Sequence, residues 1–284
     1  MRRNLLYLAL IMLCCGVFLL YVFGYQRAQD QQPPTISFAE EALALSTRDP
    51  KENLLQGVTA HDSEDGDVTD SLVVASIRLM DADGTIQVTY AAFDAAGNVT
   101  KAVRNAKYTD YESPRFSLKR SLTYQHNTVF DIFAAVQATD GLDGDISHRI
   151  RITTLDESSI STVGTHMVEL KTSNSLGETV RLVVPVEVYA AGTYDGTLAL
   201  TDYLVYLPLG GKLDAESYLD TYTRAGATIP LFDGVPEGYS LEVKSDVQPE
   251  IPGVYTVEYR LTQTIVGSTR AYTGYAKLIV VVEG

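Results

Sequence analysis

The feature that most constrains this chain is an internal repeat. The stretch that begins at Gly57 and the stretch that begins at Ala135 align at a fixed offset of 78 residues, and both contain the same acidic turn. Repetition of this kind predicts that the chain is built from copies of one structural unit. In the first copy, the positions that recur identically are Val58, Ala60, Asp62, Asp65, Gly66 and Asp67.

After this turn, each copy continues with a glycine and a run of alternating residues. The runs are 84–90, 164–170 and, in a third copy, 253–259. A period of two is typical of a strand with one face in a core and one face in water. The residues predicted to face inward are Ile86, Val88, Tyr90, His166, Val168, Leu170, Tyr255, Val257 and Tyr259.

Short alternating strands separated by turn residues predict an all-β fold. We expect three tandem immunoglobulin-like β-sandwich domains that follow one N-terminal transmembrane helix. Proline and polar residues interrupt the pattern at the predicted boundaries. The predicted segments are 1–30 for a cytoplasmic stub and transmembrane anchor, 31–111 and 112–191 for the first two domains, and 192–284 for a divergent third domain.

Two turns of the first repeat together resemble a known family. Residues 57–69 and 88–99, which include the turn from Asp94 to Asn98, are similar to the bacterial Ig-like domain of surface proteins and some pesticidal crystal proteins. The resemblance is clear in the first repeat, partial in the second, where Asn174 to Glu178 replaces that turn, and weak in the third. It implies an extracellular sandwich that serves as a spacer or a binding module, and it implies no single activity.

The N-terminus carries an apolar segment. Residues 5–25 include no charged side chain, and at about 1.5 Å per residue they would span roughly 30 Å, the thickness of a hydrocarbon core. Arg2 and Arg3 precede the segment, so the positive-inside rule predicts a cytoplasmic N-terminus and an extracellular C-terminal part. The chain is therefore predicted to contact the cell membrane through residues 5–25 in a single pass. A cleaved signal peptide is the alternative reading.

Net charge excludes one class of partner. The formal charge is −14, and no basic stripe interrupts the acidic surface. Because such a surface repels phosphate backbones, nucleic-acid binding is not expected.

The acidic turns are candidate calcium sites. Calcium takes 6–8 oxygen ligands, which acidic loops supply. The spacing is not that of an EF-hand, and Asp-Gly is also a common turn dipeptide whose chemistry alone explains such a cluster. Both interpretations remain open, with no other cofactor predicted. The candidate ligands are Asp62, Glu64, Asp65 and Asp67 in the first repeat, and Asp140, Asp143 and Asp145 in the second.

The residue inventory argues against an enzyme. Cys14 and Cys15 are the two cysteines and both lie in the apolar segment, the four histidines are scattered, and no phosphate loop, dinucleotide fingerprint or zinc spacing is present. We expect a non-catalytic, membrane-anchored extracellular protein that acts as a surface stalk or adhesion-type binding module for an extracellular protein or a glycan. The alternatives are an envelope scaffold that partners other membrane proteins and a calcium-dependent binding module.

Tyrosines are abundant in the predicted third domain. They would either form an exposed binding face at the tip of the protein or fill a core that is poor in phenylalanine. These residues are Tyr194, Tyr203, Tyr206, Tyr218, Tyr222 and Tyr239.

Overall fold

A computed structural model describes residues 7, 10–21, 30–129, 131–155, 160–265, 267 and 269–284. The chain divides into two compact units, Met1–Tyr111 and Glu112–Gly284. From residue 30 onward, the described residues form β-strands joined by turns and short 3-10 helices, so the predicted all-β sandwich fold is confirmed.

The first unit contains one sandwich of two sheets. One sheet has the order β1-β3-β4 and the other the order β2-β7-β6-β5. Short 3-10 helices occupy Lys51–Leu55 and Thr69–Ser71. The strands are β1 (Thr35–Phe38), β2 (Ala42–Leu45), β3 (Val58–Asp62), β4 (Gly66–Asp67), β5 (Val73–Leu79), β6 (Thr85–Phe93) and β7 (Val99–Tyr108).

The core of the first sandwich follows the alternation in β6. Ile86, Val88 and Tyr90 are fully buried, as the pattern predicts. The Tyr90 hydroxyl donates a hydrogen bond of 2.7 Å to the carbonyl oxygen of Leu54. This bond satisfies the polar end of a buried aromatic side chain and fixes the first 3-10 helix against the sheet.

The second unit begins with a sandwich that repeats this arrangement. Its sheets have the orders β11-β10-β8 and β12-β13-β14-β9, and Ser147–Arg149 form a 3-10 helix. Val168 and Leu170 are fully buried and His166 is 3% exposed, so the predicted inward set of this repeat is confirmed. The strands are β8 (Arg115–Leu118), β9 (Thr123–Gln125), β10 (Val136–Asp140), β11 (Gly144–Asp145), β12 (Arg151–Thr154), β13 (Gly164–Ser173) and β14 (Thr179–Tyr189).

The C-terminal part of the second unit is hydrogen-bonded as one seven-stranded sheet. The order is β18-β17-β15-β21-β20-β19, and β16 also pairs with β21. The long β21 strand joins what would otherwise be two sheets, because β15 and β16 pair with different parts of it. Val257 and Tyr259 are fully buried, as predicted. The strands are β15 (Gly196–Leu200), β16 (Leu204–Leu207), β17 (Leu219–Arg224), β18 (Ala227–Pro230), β19 (Tyr239–Ser245), β20 (Gly253–Thr264) and β21 (Ala271–Val282).

The second and third repeats share apolar packing within their unit. Leu204 and Ile279 of the third repeat are buried in the core cluster of the second. The backbone N–H of Phe116 donates to the Tyr206 hydroxyl over 3.1 Å. Lys277, which is 9% exposed, forms an ion pair of 2.9 Å with Glu187. The division into three separate domains stays a prediction, since these two repeats lie in one compact unit.

Parallel pairing recurs at corresponding places in all three repeats. An early strand of each repeat runs parallel to the last strand: β2 beside β7, β9 beside β14, and β16 beside β21. The remaining pairings are antiparallel, apart from the two-residue parallel contact of β15 with β21.

The N-terminal segment is described only in part. Residues 10–21 are helical. No helix among the described residues has the length and apolar character needed to cross a bilayer. The predicted span of 5–25 extends over positions 5, 6, 8, 9 and 22–25, which lie outside the described residues.

Candidate functional site

The acidic turn of the first repeat is held by Asp62 at the end of β3. Its Oδ1 atom accepts hydrogen bonds from the backbone N–H groups of Glu64, at 2.8 Å, and Asp65, at 3.0 Å. These bonds, first that from Asp65 and then that from Glu64, lower the pKa of Asp62 below its usual value. Gly66 then adopts a positive φ of 76°, which glycine accepts without strain, and β4 begins.

The other predicted ligands of this turn have separate roles. Asp65 Oδ2 accepts a hydrogen bond of 2.7 Å from the N–H of Ala95, which ties the turn to the loop between β6 and β7. Asp67 Oδ1 accepts from the N–H of Thr69 at 3.0 Å, and the side-chain and backbone hydrogen bonds of Thr69 lower the pKa of Asp67. Glu64 is exposed. Turn chemistry accounts for Asp65 and Asp67, and their role as metal ligands stays a prediction.

A different carboxylate cluster forms around Asp62. One carboxylate oxygen from each of Asp30, Asp62 and Asp94 lies within 4.8 Å of the others. Asp62 is 1% exposed and Asp94 is 9% exposed. The Oδ2 atoms of Asp30 and Asp62 are buried and have no hydrogen-bond partner among the described residues. We call these three residues the carboxylate triad.

An amide rather than a cation accompanies the triad. The Asn98 side chain donates from Nδ2 to Asp94 Oδ2, at 2.7 Å, and to the carbonyl oxygen of Asp30, at 3.1 Å. The backbone N–H of Asn98 donates to Asp94 Oδ1 at 2.7 Å. Within the described part of the chain, no lysine, arginine or histidine forms an ion pair with a triad carboxylate.

Of the triad, sequence reasoning named only Asp62 as a candidate metal ligand. Asp94 was visible as the first residue of a turn motif, but turn formation explained it completely. Asp30 stands before β1 in no motif, so nothing in the sequence connects it with Asp62 or Asp94. The fold supplies that connection, because β1 pairs with β3 and places the segment before β1 beside the end of β3.

The second repeat builds the same turn with a different partner. Asp140 Oδ1 accepts from the N–H groups of Leu142 and Asp143, at 3.0 and 2.8 Å. Asp140 Oδ2 accepts from Nδ2 of Asn174 at 3.0 Å, and both residues are buried. Asn174 occupies the position that Asp94 has in the first repeat, so an amide satisfies the oxygen that is unpartnered in Asp62.

The remaining acidic residues of this turn are also engaged. Asp143 accepts hydrogen bonds from the backbone and hydroxyl of Ser175, at 2.7 and 2.6 Å, and pairs with Arg149 at 2.6 Å. Burial raises the pKa of Asp143, but the bonds from Ser175 and Arg149 outweigh it, and the pKa is lowered. Asp145 Oδ1 accepts from the N–H of Ser147 at 2.9 Å, and the bonds from Ser147 lower its pKa.

A cationic groove lies beside this second turn. It has a volume of about 460 Å³ and is lined by Arg149, Arg151, Lys171 and residues 172–175. The strand register places Arg151 opposite Lys171 and Lys171 opposite Arg181, so three cations stand in a row across β12, β13 and β14. The expectation that no basic stripe is present was therefore wrong, because residues that are distant in sequence form this one. Among the described residues, none of the three forms an ion pair. Like charges that are directly opposite each other destabilise a sheet, so this row favours an anion nearby.

The remaining candidates belong to the core. His166 Nε2 lies 2.8 Å from the carbonyl oxygen of Thr162 and its side chain is buried. Tyr222 is buried, and the other partly buried tyrosines pack against the two core clusters of the second unit or stack on one another, as Tyr194 does with Tyr189 and Tyr275. The interpretation of the tyrosines as core residues is confirmed for Tyr222.

Among the comparisons with known proteins, only that with solved structures gives matches, and these matches are distant. No family model matches the chain, and no curated protein matches it. Among solved structures it is similar to the CBM51-2 and INT domains of Clostridium perfringens ZmpB in complex with GlcNAc, at 14% identity and a TM-score of 0.23 over 88% of this chain and 41% of that one. It is also similar to extracellular cadherin domains 1–5 of protocadherin gamma B2, at 9% identity and a TM-score of 0.21 over 89% of this chain and 60% of that one.

A third neighbour is mouse cadherin-23 EC22-24, at 12% identity and a TM-score of 0.21, over 89% of this chain and 99% of that one. The chain thus spans less than two thirds of the length of the first two neighbours. At these identities and TM-scores, neither the activity nor the ligand of a neighbour is assigned to this protein.

Proposed function

We propose that this protein is a non-catalytic, membrane-anchored extracellular protein of immunoglobulin-like sandwiches that binds an anionic glycan at the cationic groove of its second repeat. The observation that carries the proposal is the row formed by Arg151, Lys171 and Arg181. It supplies unpaired positive charge on a protein whose formal net charge is −14.

The spacing of the row suits a polymer with regularly spaced acids. Neighbouring strands lie about 4.8 Å apart, so three cations extend over roughly 10 Å. Acidic groups farther away than about 8 Å reduce this charge little, because electrostatic interactions between exposed groups are screened beyond that distance at physiological salt.

The polar lining favours a sugar among anionic ligands. Among residues 172–175, Ser173 and Ser175 bring hydroxyl groups to the groove, beside Arg151 and Lys171, whereas Thr172 and Asn174 are buried. Such groups hydrogen-bond sugar hydroxyls, while the cations bind carboxylates or sulfates. The sequence favoured the third repeat as the binding tip. Because the groove lies in the second repeat, we place the proposed binding face there.

Membrane anchoring is the second part of the proposal. It is supported by the uncharged run at 5–25 and by the two arginines that precede it. The β-sandwich region described after residue 30 fits a role in display on the cell surface, because such sandwiches present loops and strand faces on a rigid framework.

The first prediction tests both parts with the full-length chain in intact cells. Fluorescent polygalacturonate should bind the outer surface of these cells, and protease added outside should abolish that binding. The double variant Arg151→Ala/Lys171→Ala should lower the affinity about tenfold, because two unpaired contacts to acidic groups are lost. Binding should also weaken as salt rises.

The matched control is Lys244→Ala, which removes an exposed lysine that pairs with Glu242 in the third repeat. This variant should leave the binding of polygalacturonate unchanged. Neutral dextran added as a competitor should also leave that binding unchanged. An equal loss in both variants would contradict the groove. Protection of the chain from external protease would contradict the extracellular placement, and cross-linking confined to other membrane proteins would favour a scaffold.

A further inference from the structure

We propose that the carboxylate triad of Asp30, Asp62 and Asp94 is a calcium site in the first unit. The triad lies in a different unit from the cationic groove, so this inference stands or fails independently of the proposed function. It rests on the geometry of three carboxylates, on an unpartnered buried oxygen and on an internal comparison with the second repeat.

The first argument is charge. Three carboxylates converge within 4.8 Å, two of them are buried, and no positive side chain in the described chain pairs with them. Like charges at this distance repel one another, and burial removes the water that would screen them. A bound cation removes both penalties at once.

The second argument is the unpartnered oxygen. Asp62 is 1% exposed, and its Oδ1 atom accepts two backbone hydrogen bonds, while its buried Oδ2 atom accepts none from the residues that the structure describes. A buried polar atom without a partner is costly, and native structures satisfy the large majority of such atoms. The partner of Asp62 Oδ2 must approach from the side of Asp30 and Asp94, because the hydrogen bonds of the turn occupy Oδ1.

The third argument is the second repeat. There, Asn174 stands in place of Asp94, and its amide donates to Asp140 Oδ2 at 3.0 Å. The second repeat therefore satisfies the equivalent oxygen with a proton donor on the protein. The first repeat has a carboxylate in that position, which cannot donate when ionised. A cation takes the place of the amide.

The geometry suits calcium. Calcium binds oxygens at about 2.3–2.6 Å, so two ligands of one ion lie at most about 5.2 Å apart. The triad oxygens, which are all within 4.8 Å of one another, meet that limit. Water would complete the coordination, since calcium takes 6–8 oxygens. Asn98 is a positioning residue here, because its amide joins Asp94 to the backbone of Asp30. The ion would thus fasten the segment before β1 to the turns that follow β3 and β6.

The second prediction is measured on the full-length chain in detergent at constant ionic strength. Titration with Ca²⁺ should give one binding event per chain by calorimetry. At 100-fold excess over the dissociation constant, the melting temperature of the first unit should rise by on the order of 10 °C, while that of the second unit stays constant. A flat titration with no thermal shift would overturn the proposal.

Asp94→Asn is the variant that should remain folded without the ion. Its amide would donate to Asp62 Oδ2 as Asn174 does to Asp140, in place of the bond that Asp94 Oδ2 accepts from Asn98. The first unit should therefore stay folded in chelator and show no response to calcium. Asp67→Asn is the control in the same acidic turn, and it should keep the full calcium response. A response retained by Asp94→Asn, or lost in Asp67→Asn, would overturn the assignment to the triad.

Discussion

The acidic turns of the first and second repeats differ in what faces their first aspartate. Asp62 faces two other carboxylates, whereas Asp140 faces the amide of Asn174. Yet the backbone bonds that form the two turns correspond one for one, from the first aspartate to the last. The shared acidic motif therefore encodes the turn. The chemistry is set by the loop that approaches it.

A second difference concerns how each turn handles its middle aspartate. Asp143 has an arginine partner and a serine hydroxyl, whereas Asp65 accepts one backbone hydrogen bond from Ala95. The second repeat thus neutralises its acidic turn with its own side chains. The first repeat leaves negative charge that side chains do not balance, which is the condition that a cation site requires.

The largest expected effect comes from the third prediction, Asn174→Asp, which gives the second repeat the carboxylate of the first. The substitution replaces a hydrogen bond to Asp140 with a buried like-charge pair. We expect the second unit to lose on the order of 3 kcal/mol of its free energy of unfolding, because a buried charge is left uncompensated. Denaturant unfolding of the full-length chain measures it.

Gln248→Glu is the matched control, because it adds one carboxylate to an exposed position of the same unit. It should change stability little. Calcium should not rescue Asn174→Asp, because the one carboxylate cluster found among the described residues is the triad. Rescue by calcium would contradict this comparison, because it would show that two carboxylates are enough to bind the ion.

The fourth prediction compares Asp143→Ala with Asp65→Ala. The first removes an ion pair and two hydrogen bonds, and the second removes one hydrogen bond. Thermal unfolding should therefore show a larger fall in melting temperature for the second unit in Asp143→Ala than for the first unit in Asp65→Ala. Equal falls would show that the extra partners of Asp143 contribute little, as is common for exposed ion pairs.

The smallest effect concerns acid stability at the last aspartate of each turn. The pKa values of Asp67 and Asp145 are lowered in the folded protein by the bonds from Thr69 and Ser147. Their stabilisation is present above the usual aspartate pKa of about 4 and is lost as pH falls through the lower folded value. In Asp67→Asn and in Asp145→Asn, the melting temperature should fall less steeply than in wild type between about pH 4 and pH 2. The reduction should be the same in the two variants.

If the melting temperature depends on pH with the same slope in both variants, the chemistry of the turn is the same in the two repeats. If only one variant flattens the pH profile, the two turns differ in more than the partner of the first aspartate. Melting curves in the absence of calcium keep the triad out of this comparison, since metal ligands must be deprotonated and would add their own pH dependence.

The sequence predicted what depends on local pattern. Alternation identified Val88, Val168 and Val257 as inward-facing, because a strand with one buried face imposes a period of two whatever its partner is. The acidic turns were likewise readable as turns from their Asp-Gly pairs. These features depend on neighbours in the sequence, so the sequence is enough to find them.

What depends on register and long-range pairing was beyond sequence reasoning. Arg151, Lys171 and Arg181 are ordinary outward-facing residues until the strands align, and a shift of one residue would disperse them. Asp30 is 32 positions from Asp62 and 64 from Asp94, and a strand pairing alone brings it close. Similarly, the joining of sheets by β21 depends on two short parallel contacts that no local pattern announces.

The parallel pairs within each repeat have a mechanical consequence. Because an early strand and the last strand of a repeat run side by side in the same direction, a pull on the two ends of that repeat slides one past the other. The hydrogen bonds between them are then strained together in shear, instead of opening one at a time as in an unzipped hairpin. We therefore expect the parallel pair of each repeat to resist tension along the chain better than a hairpin that is opened from its end.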